Sequence, residues 1–201
     1  MIRCLVTDRR RLAGAAAPFD HARTLLLAQL EDAVQNGVDL IQLRERDLDA
    51  ADLAALTGDV VSITRGTKSR VVVNDRLDVA LACGADGVHL RGDSIRASDA
   101  RRITHAGFLI GRSVHAVDEA SAAGECDYLI AGTVYSSRSK DVSTTLLGLE
   151  GLQAIVQATR TPVLAIGGVT ADRFGEIAAA GAAGIAGIGL FLPFDSPKPA
   201  P

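Results

Sequence analysis

The chain has 201 residues, an apolar content of 48% and a formal net charge of -3 at neutral pH. A chain of this size and composition can bury one large core, which argues against an intrinsically disordered protein. Aromatic residues make up only 3%, there is no Trp, and 21 basic residues face 24 acidic ones. The composition therefore argues against a nucleic-acid-binding surface, which needs basic patches and stacking platforms.

The cysteines and the lengths of the apolar runs predict the cellular compartment of the protein. Cys4, Cys83 and Cys126 are scattered and form no CxxC pair, which argues against a disulfide framework and a zinc site. The N-terminal apolar run is too short for a signal peptide, and no later run approaches the ~20 apolar residues of a membrane span. We therefore expect a cytoplasmic protein that binds neither membrane nor nucleic acid.

Eight short runs rich in β-branched and other apolar residues predict buried parallel strands. In chain order they are IRCLVTD, VDLIQLR, SRVVVND, DGVHL, GFLIGRSV, DYLIAGTVY, TPVLAIGGV and AGIAGIGLF. Segments with helical spacing lie between them, such as HARTLLLAQLEDAVQNG and DLAALTGDVVSITRG, each ending at Gly. Eight strand–helix units in one chain predict an α/β fold, the (β/α)8 TIM barrel.

An open, doubly wound sheet is the alternative to this barrel. No Gly-x-Gly-x-x-Gly follows the first strand, so the dinucleotide-binding version of that sheet is disfavoured. We expect one domain over residues 1–201, with the barrel at about 2–192 and a Pro-rich tail at 193–201. Its prolines predict that the eighth helix is short or missing. The apolar surface left open would be covered by a rearranged N-terminal segment or a partner subunit, and we expect a homodimer.

Polar residues follow the predicted strands, where the ligand site of such a barrel lies. Gln42, Arg44 and Arg46 in QLRERD alternate along one strand, so their side chains share a face. Two guanidiniums beside an amide suit a pyrophosphate, which Arg binds in bidentate fashion. The alternative is that both arginines pair with Glu45, Asp47 or an acid on a neighbouring strand.

Carboxylates follow the third and fourth predicted strands. Asn74 and Asp75 end VVVND, where either could simply cap a turn or helix. Facing an Arg-rich rim, Asp75 is a candidate Mg²⁺ ligand, because Mg²⁺ binds through one or two carboxylates plus substrate phosphates. Asp93 in HLRGDS is the nearest candidate for a second carboxylate.

Two later segments suit phosphate binding. SSRSK at 136–140 is rich in hydroxyls and cations, and AIGGVTADR places Gly167 and Gly168 between a strand and a helix start. With Gly189, these glycines would let the backbone approach phosphate oxygens closely; tight turns and a solvated loop are the alternative, which the joint occurrence of the two segments disfavours. His89 and His115 lie at strand ends and are either satisfied core groups or acid–base groups.

The sequence resembles the thiamine phosphate synthase and thiazole tautomerase superfamily. The resemblance covers about residues 2–192 and rests on five ordered motifs: QLRERD, VVVNDRLDVALACGADGVHL, IGRSVHAVDEA, GTVYSSRSK and PVLAIGGVT. It implies a transferase that joins 4-amino-5-hydroxymethyl-2-methylpyrimidine diphosphate to 4-methyl-5-(2-phosphoethyl)thiazole. The products are thiamine phosphate and pyrophosphate.

The resemblance also implies roles for individual residues. The pyrimidine diphosphate would be held by Gln42, Arg44, Arg46 and Asn74, and Asp75 would bind Mg²⁺. Ser113 matches a residue near the pyrimidine and pyrophosphate, and Lys140 a pyrophosphate contact, so with Arg46 they are the catalytic candidates. The thiazole phosphate would contact Ser137, Ser139, Gly168, Ile188 and Gly189.

Three positions depart from the family's usual pattern. Arg46 replaces a Lys, which keeps the charge but changes its geometry. Ser94 stands where the second metal-binding Asp is usual, and strand alternation would turn Asp93 away unless the loop bends. IGRSVH looks like the tautomerase branch, but Thr133 stands where that branch commonly has a catalytic His. The alternatives to the synthase are a tautomerase using a residue such as His115, and a catalytically lapsed barrel that binds thiazole or thiamine phosphate.

Overall fold

Eight parallel strands close into a barrel in the computed structural model of the chain, which describes residues 1–136 and 145–192. Each strand pairs with the next, and β8 pairs with β1. The strands are β1 (Ile2–Val6), β2 (Leu40–Leu43), β3 (Arg70–Asn74), β4 (Gly87–Leu90), β5 (Leu109–Val114), β6 (Tyr128–Gly132), β7 (Val163–Ile166) and β8 (Gly184–Gly187). The closed order confirms the predicted (β/α)8 barrel and excludes the open sheet.

Helices connect the strands and cover the outside of the barrel. They are α1 (Arg9–Ala13), α2 (Phe19–Gln35), α3 (Ala50–Thr64), α4 (Leu77–Ala82), α5 (Ala97–Arg101), α6 (Val117–Ser121), α7 (Gly148–Gln157) and α8 (Phe174–Ala179). A 3₁₀ turn at Ala171–Arg173 precedes α8, and another at Gly189–Phe191 follows β8. Among the helices of residues 1–136 and 145–192, none is long and apolar enough to cross a membrane.

The period-two alternation of each strand divides the core in two. Outward side chains pack under the helices; on the first half of the barrel they include Leu5, Ile41, Val71, Val88 and Ile110. Inward side chains form a separate cluster along the axis: Cys4, Val6, Leu40, Val72, Tyr128, Ile130, Leu164 and Ala186. Because both faces are buried, each strand is almost continuously apolar, which is the pattern that made the strands recognisable in the sequence.

The chain after β8 packs on the N-terminal part of the barrel. Nε2 of Gln29 on α2 donates to the carbonyl oxygen of Phe191 at 2.8 Å, and the Arg3 guanidinium lies 5.8 Å from the centre of the Phe191 ring. Within the described residues a 3₁₀ turn thus follows β8, at the position where the helix after the eighth strand would begin. The predicted Pro-rich tail at 193–201 lies outside those residues.

Candidate active site

A cavity of about 1550 Å³ opens at the carboxyl ends of the strands. It is lined by residues from most of the strand ends, including Asp8, Arg11, Gln42, Arg44, Arg46, Asn74, His89, Arg91, Asp93, Ser113, His115, Gly168, Arg173, Ile188 and Gly189. Most of the sequence-predicted site residues therefore face one space. Its size exceeds the ~300–1000 Å³ of a pocket for one small ligand, so it has room for two reactants.

The basic and the acidic side chains of the QLRERD segment point in different directions. Arg44 and Arg46 line the cavity, whereas Glu45 and Asp47 turn to Arg9 at the start of α1. Among the ion pairs of the described residues none involves either cavity-lining arginine, so the alternative in which they pair with Glu45 or Asp47 is not what the fold adopts. Both guanidiniums remain available to an anionic ligand.

Arg9 is a nearly buried residue that holds both acids. Its Nη1 donates to Oε2 of Glu45 at 2.9 Å and to Oδ1 of Asp47 at 2.7 Å, and its backbone N–H donates to Oε1 of Glu45 at 3.2 Å. The hydrogen bonds that Arg9 donates to Asp47 raise the pKa of Arg9 further above its usual range, and the same bonds lower the pKa of Asp47. The β1–α1 connection is thereby fixed to the end of β2.

The electrostatics around Arg44 favour an anion. Burial, followed by the positive charge of Arg46, lowers the pKa of Arg44, while Asp8 and Glu45 oppose this shift. A half-buried guanidinium without a direct acidic partner is costly to leave in that state. A phosphate oxygen would supply the missing counter-charge.

Polar side chains on the inward face of the strands form the cavity floor. Nε2 of Gln42 donates to Oδ1 of Asn74 at 3.0 Å, which orients both amides. His89 lies between Tyr128 and Ser113, with Nδ1 3.1 Å from the Tyr128 hydroxyl and Nε2 2.9 Å from Oγ of Ser113. Burial, with smaller contributions from Arg44 and Arg112, lowers the pKa of His89 to about 3, so His89 is neutral at physiological pH.

The two predicted metal ligands lie in different surroundings. Asp75 adopts a left-handed backbone conformation, with φ 62°, and its Oδ1 accepts a hydrogen bond from the Ser94 hydroxyl. Asp93 lines the cavity because the chain turns after β4, so strand alternation no longer applies there. Its carboxylate, however, is paired with Arg91, whose Nε donates to Oδ1 at 2.9 Å.

These surroundings fit a magnesium ion that takes most of its oxygen ligands from the substrate and not from the protein. Asp75 and Ser94 present a carboxylate and a hydroxyl, which are hard oxygen ligands, and Mg²⁺ needs only one or two carboxylates when phosphates complete its shell. Arg91 lies 3.6 Å from Asp75 and already neutralises Asp93. Within the described residues no group of three His, Cys, Asp or Glu side chains could hold a metal ion without a ligand's help.

Two glycines after β7 shape the opposite side of the cavity. Gly167 and Gly168 have φ of 100° and 60°, and a Cβ at Gly168 would lie 2.4 Å from the carbonyl oxygen of Ser136. Only glycine allows this close approach between the β6 and β7 loops. Nη1 of Arg173 donates to the carbonyl oxygen of Gly168 at 2.8 Å and holds the turn, while Ile188 and Gly189 line the cavity from the β8 side.

Three predicted site residues cannot be compared with the structure, and the structure adds four residues that the sequence did not indicate. The predicted residues Ser137, Ser139 and Lys140 lie outside the described residues. Sequence reasoning missed Arg9, one of three consecutive arginines with no signal of its own, and Tyr128. It also missed Arg91, which directly follows GVHL, and Arg173, which ends the AIGGVTADR segment that drew attention.

The tautomerase alternative depends on residues around β6. Thr133 is buried, and its Cγ2 would lie 2.3 Å from a Cβ at Gly167, so it packs against the glycine turn. His115 lines the cavity, and its Nδ1 bonds to the carbonyl oxygen of Gly132. A buried Thr cannot carry a proton as the His of the tautomerase branch would.

The comparison with known proteins settles the family. The sequence model of the family described as thiamine monophosphate synthase matches residues 5–191. The chain belongs to the thiamine monophosphate synthase family. A thiamine-phosphate synthase of Methanoregula boonei is 43% identical to this family member over 156 residues, which cover 77% of the chain and 72% of the relative. A putative thiamine-phosphate synthase of Geobacter sulfurreducens is 37% identical over 196 residues, covering 96% and 88%.

Solved structures agree with this membership of the thiamine monophosphate synthase family. A thiamine phosphate pyrophosphorylase from Pyrococcus furiosus superposes with a TM-score of 0.77 at 32% identity, covering 93% of this chain and 85% of its own. An N-acetylmannosamine-6-phosphate 2-epimerase from Clostridium perfringens reaches a TM-score of 0.66 at 16% identity, over 95% and 87%. The second likeness shows the shared barrel alone. The resemblance inferred from the five motifs is confirmed.

Proposed function

We propose that this chain is a transferase that condenses an aminopyrimidine diphosphate with a thiazole phosphate to give thiamine phosphate and pyrophosphate. The relatives named as thiamine-phosphate synthases support this activity. The observation that carries it is the cavity at the carboxyl ends of the strands, where Arg44 and Arg46 form no ion pair with any acid of residues 1–136 and 145–192. A diphosphate suits two such guanidiniums, because arginine binds phosphate oxygens in bidentate fashion.

The proposed reaction needs no protein nucleophile. The bond between the pyrimidine methylene carbon and the diphosphate oxygen breaks, and pyrophosphate leaves with the electron pair. The thiazole nitrogen then gives its lone pair to the resulting pyrimidine cation and forms the carbon–nitrogen bond. Arg44 and Arg46 stabilise the charge that develops on the departing oxygens, and in our proposal Lys140 does the same.

The remaining groups bind and orient the reactants. We assign the pyrimidine to the floor made by Gln42, Asn74 and Ser113, whose polar atoms are held in fixed positions. The thiazole phosphate is assigned to Ser137, Ser139, Gly168, Ile188 and Gly189, because loops after the last strands bind phosphate in this fold. The floor and the β7–β8 side belong to one cavity, which would bring the reacting atoms together.

We propose Mg²⁺ as the cofactor, with Asp75 as its protein carboxylate, Ser94 beside it and Asp93 as a further candidate. The ion would supply positive charge to the leaving pyrophosphate. Asp75 would place the ion next to Arg91, which lines the cavity.

Turnover of the two substrates tests this function. Purified protein is mixed with both substrates and Mg²⁺, and thiamine phosphate is measured by chromatography. We expect product from the wild type and at least a ~100-fold loss with Asp75→Ala and with Lys140→Ala. Exposed Arg76→Gln, which removes only an ion pair with the exposed Asp78, is the control and should retain activity. Binding of both substrates without turnover would instead favour a lapsed barrel.

We also propose that the enzyme is a cytoplasmic homodimer. All three cysteines are free, as expected in a reducing compartment. Leu25 is an exposed large apolar side chain on α2, the helix that also contacts the turn after β8 through Gln29. Sedimentation equilibrium at micromolar concentration tests the assembly, and a mass of one chain would refute the dimer.

A further inference from the structure

A chain of three polar side chains runs from the barrel interior to the cavity floor. Tyr128 begins β6 inside the barrel, His89 lies on β4, and Ser113 lies on β5 at the cavity. Tyr128 is 5% exposed and His89 is 1% exposed. The two contacts of His89, at 3.1 Å to the tyrosine hydroxyl and 2.9 Å to Oγ of Ser113, join all three.

Only one direction of hydrogen bonding satisfies this chain. Among the described residues His89 is the sole hydrogen-bond partner of the Tyr128 hydroxyl. If Nδ1 of His89 were the donor, the tyrosine hydrogen would be buried without an acceptor, at a cost of about 1–3 kcal/mol. Tyr128 must therefore donate to Nδ1, and a neutral imidazole then carries its hydrogen on Nε2 and donates to Ser113.

Two further observations support the arrangement of neutral, hydrogen-bonded groups. Burial raises the pKa of Tyr128 well above its usual value, so its hydroxyl keeps its proton, and burial keeps His89 neutral. The tyrosine ring also occupies the space that a side chain at Gly111 would fill, since a Cβ there would lie 2.1 Å from Cζ and 2.4 Å from the hydroxyl oxygen of Tyr128. Gly111 thus leaves the space in which the Tyr128 hydroxyl reaches His89.

We propose that Tyr128 and His89 are positioning residues that make Ser113 a hydrogen-bond donor towards the cavity. Since Nε2–H of His89 occupies Oγ as an acceptor, the hydroxyl hydrogen of Ser113 is left for the ligand. This deepens, and rests on, the proposed synthase function: the floor selects an acceptor atom of the aminopyrimidine diphosphate, either a ring nitrogen or a diphosphate oxygen. A group that offers only a donor at this point would be disfavoured.

The tautomer of His89 tests this relay of hydrogen bonds, from Tyr128 through His89 to Ser113, without any substrate. In ¹⁵N-histidine-labelled protein, long-range proton–nitrogen correlation spectra distinguish a protonated from an unprotonated ring nitrogen. We expect His89 to carry its proton on Nε2, and its Nδ1 signal to shift in Tyr128→Phe but not in the matched Tyr135→Phe variant, whose hydroxyl bonds to Glu176. A His89 protonated on Nδ1, or an Nδ1 signal unmoved by Tyr128→Phe, would overturn the relay.

Kinetics test whether the relay acts through Ser113. We expect Ser113→Ala to raise KM for the aminopyrimidine diphosphate about tenfold, and Tyr128→Phe to raise it less. Adding Tyr128→Phe to Ser113→Ala should change nothing further, because the relay would have lost its end point. Fully additive effects would contradict the proposal. A wild type without turnover but with the expected His89 tautomer would reject the synthase function and leave the donor direction of Ser113 standing.

Discussion

Arg44 shows how one residue's surroundings define a site. Its neighbours Glu45 and Asp47 carry opposite charge, yet both are bound to Arg9. Within the part of the chain that the structure describes, the guanidinium therefore has no ion-pair partner at the cavity, and burial together with Arg46 lowers its pKa. An anionic ligand would supply the missing negative charge. We therefore expect Arg44 to destabilise the empty protein and to strengthen ligand binding.

Replacing Arg44 tests this residue directly. We expect Arg44→Gln to lower kcat/KM for the aminopyrimidine diphosphate by about 10- to 100-fold, because a charge-assisted hydrogen bond to phosphate is lost. The empty protein should unfold at the same or a higher urea concentration than the wild type. Steady-state kinetics and urea titration measure the two effects, and unchanged kinetics would exclude a role in binding.

His89 predicts a pH dependence of stability. Its pKa is about 3 in the folded chain and the ordinary 6.5 when unfolded, so between these values the unfolded state binds more protons. Stability is therefore fully present above pH 6.5 and falls as the pH drops, by about 1.4 kcal/mol per pH unit.

Urea unfolding at about pH 6.5 and about pH 5 measures this loss. The wild type should lose about 2 kcal/mol more than His89→Gln over this interval, because the variant lacks the titrating ring. Equal losses in the two proteins would show that His89 is not held neutral.

At the residue scale, the sequence predicted which way a side chain points better than it predicted which residues the side chain contacts. Alternation placed Gln42, Arg44 and Arg46 on one face, and the structure places all three at the cavity. The contacts of Arg9 with Glu45 and Asp47 span more than thirty positions of the chain and leave no local pattern. The parallel pairing of β1 with β2 brings the first and second strand ends together.

At the scale of elements, the connection after β1 is joined to the end of β2. Arg9 on α1 makes this link through Glu45, which is 5% exposed. Arg10 also pairs with Asp47, at 2.8 Å, but 58% of its side chain is exposed. These adjacent arginines thus form a matched pair for experiments, one buried and one exposed.

Removing each arginine should have different consequences. Arg9→Gln leaves Glu45 buried without its charge partner, and we expect a loss of about 3 kcal/mol in the free energy of unfolding. Arg10→Gln should cost less than about 1 kcal/mol, since exposed ion pairs contribute little. Urea unfolding of both variants decides the point, and similar losses would mean that Arg9 is not the structural link.

Gly111 on β5 is the second element-scale test. We expect Gly111→Ala to destabilise the fold by about 1–3 kcal/mol, because its methyl group would overlap the Tyr128 ring. Gly58→Ala on α3 is the control, since nothing lies within 4 Å of its added Cβ and Ala favours a helix. Thermal unfolding should show a lower midpoint for the first variant and an equal or higher one for the second.

The elements differ in how well the sequence predicts them. The strands are buried on both faces, so their apolar runs are distinct, and α2 and α3 have clear helical spacing. Helices α4, α5 and α6 span only five or six residues, too few for a periodic pattern to develop. Their ends depend on packing against the barrel rather than on local sequence.

At the scale of the whole molecule, repetition makes the fold predictable. Eight alternating strand–helix units predict a closed barrel, and closure brings the strand ends to one mouth. Arg44 and Gly168, which are far apart in the chain, line the same cavity. Asp75 lies beside this cavity through its contacts with Ser94 and Arg91 rather than among the lining residues.

The central claim is that two phosphorylated reactants meet in this one cavity and are joined there. Phosphorus NMR of a single sample with protein, Mg²⁺ and both substrates follows the diphosphate, pyrophosphate and thiamine phosphate together. We predict that pyrophosphate and thiamine phosphate appear in equal amounts, and only when both substrates are present. Diphosphate that persists, or pyrophosphate that appears without the thiazole phosphate, would contradict the account.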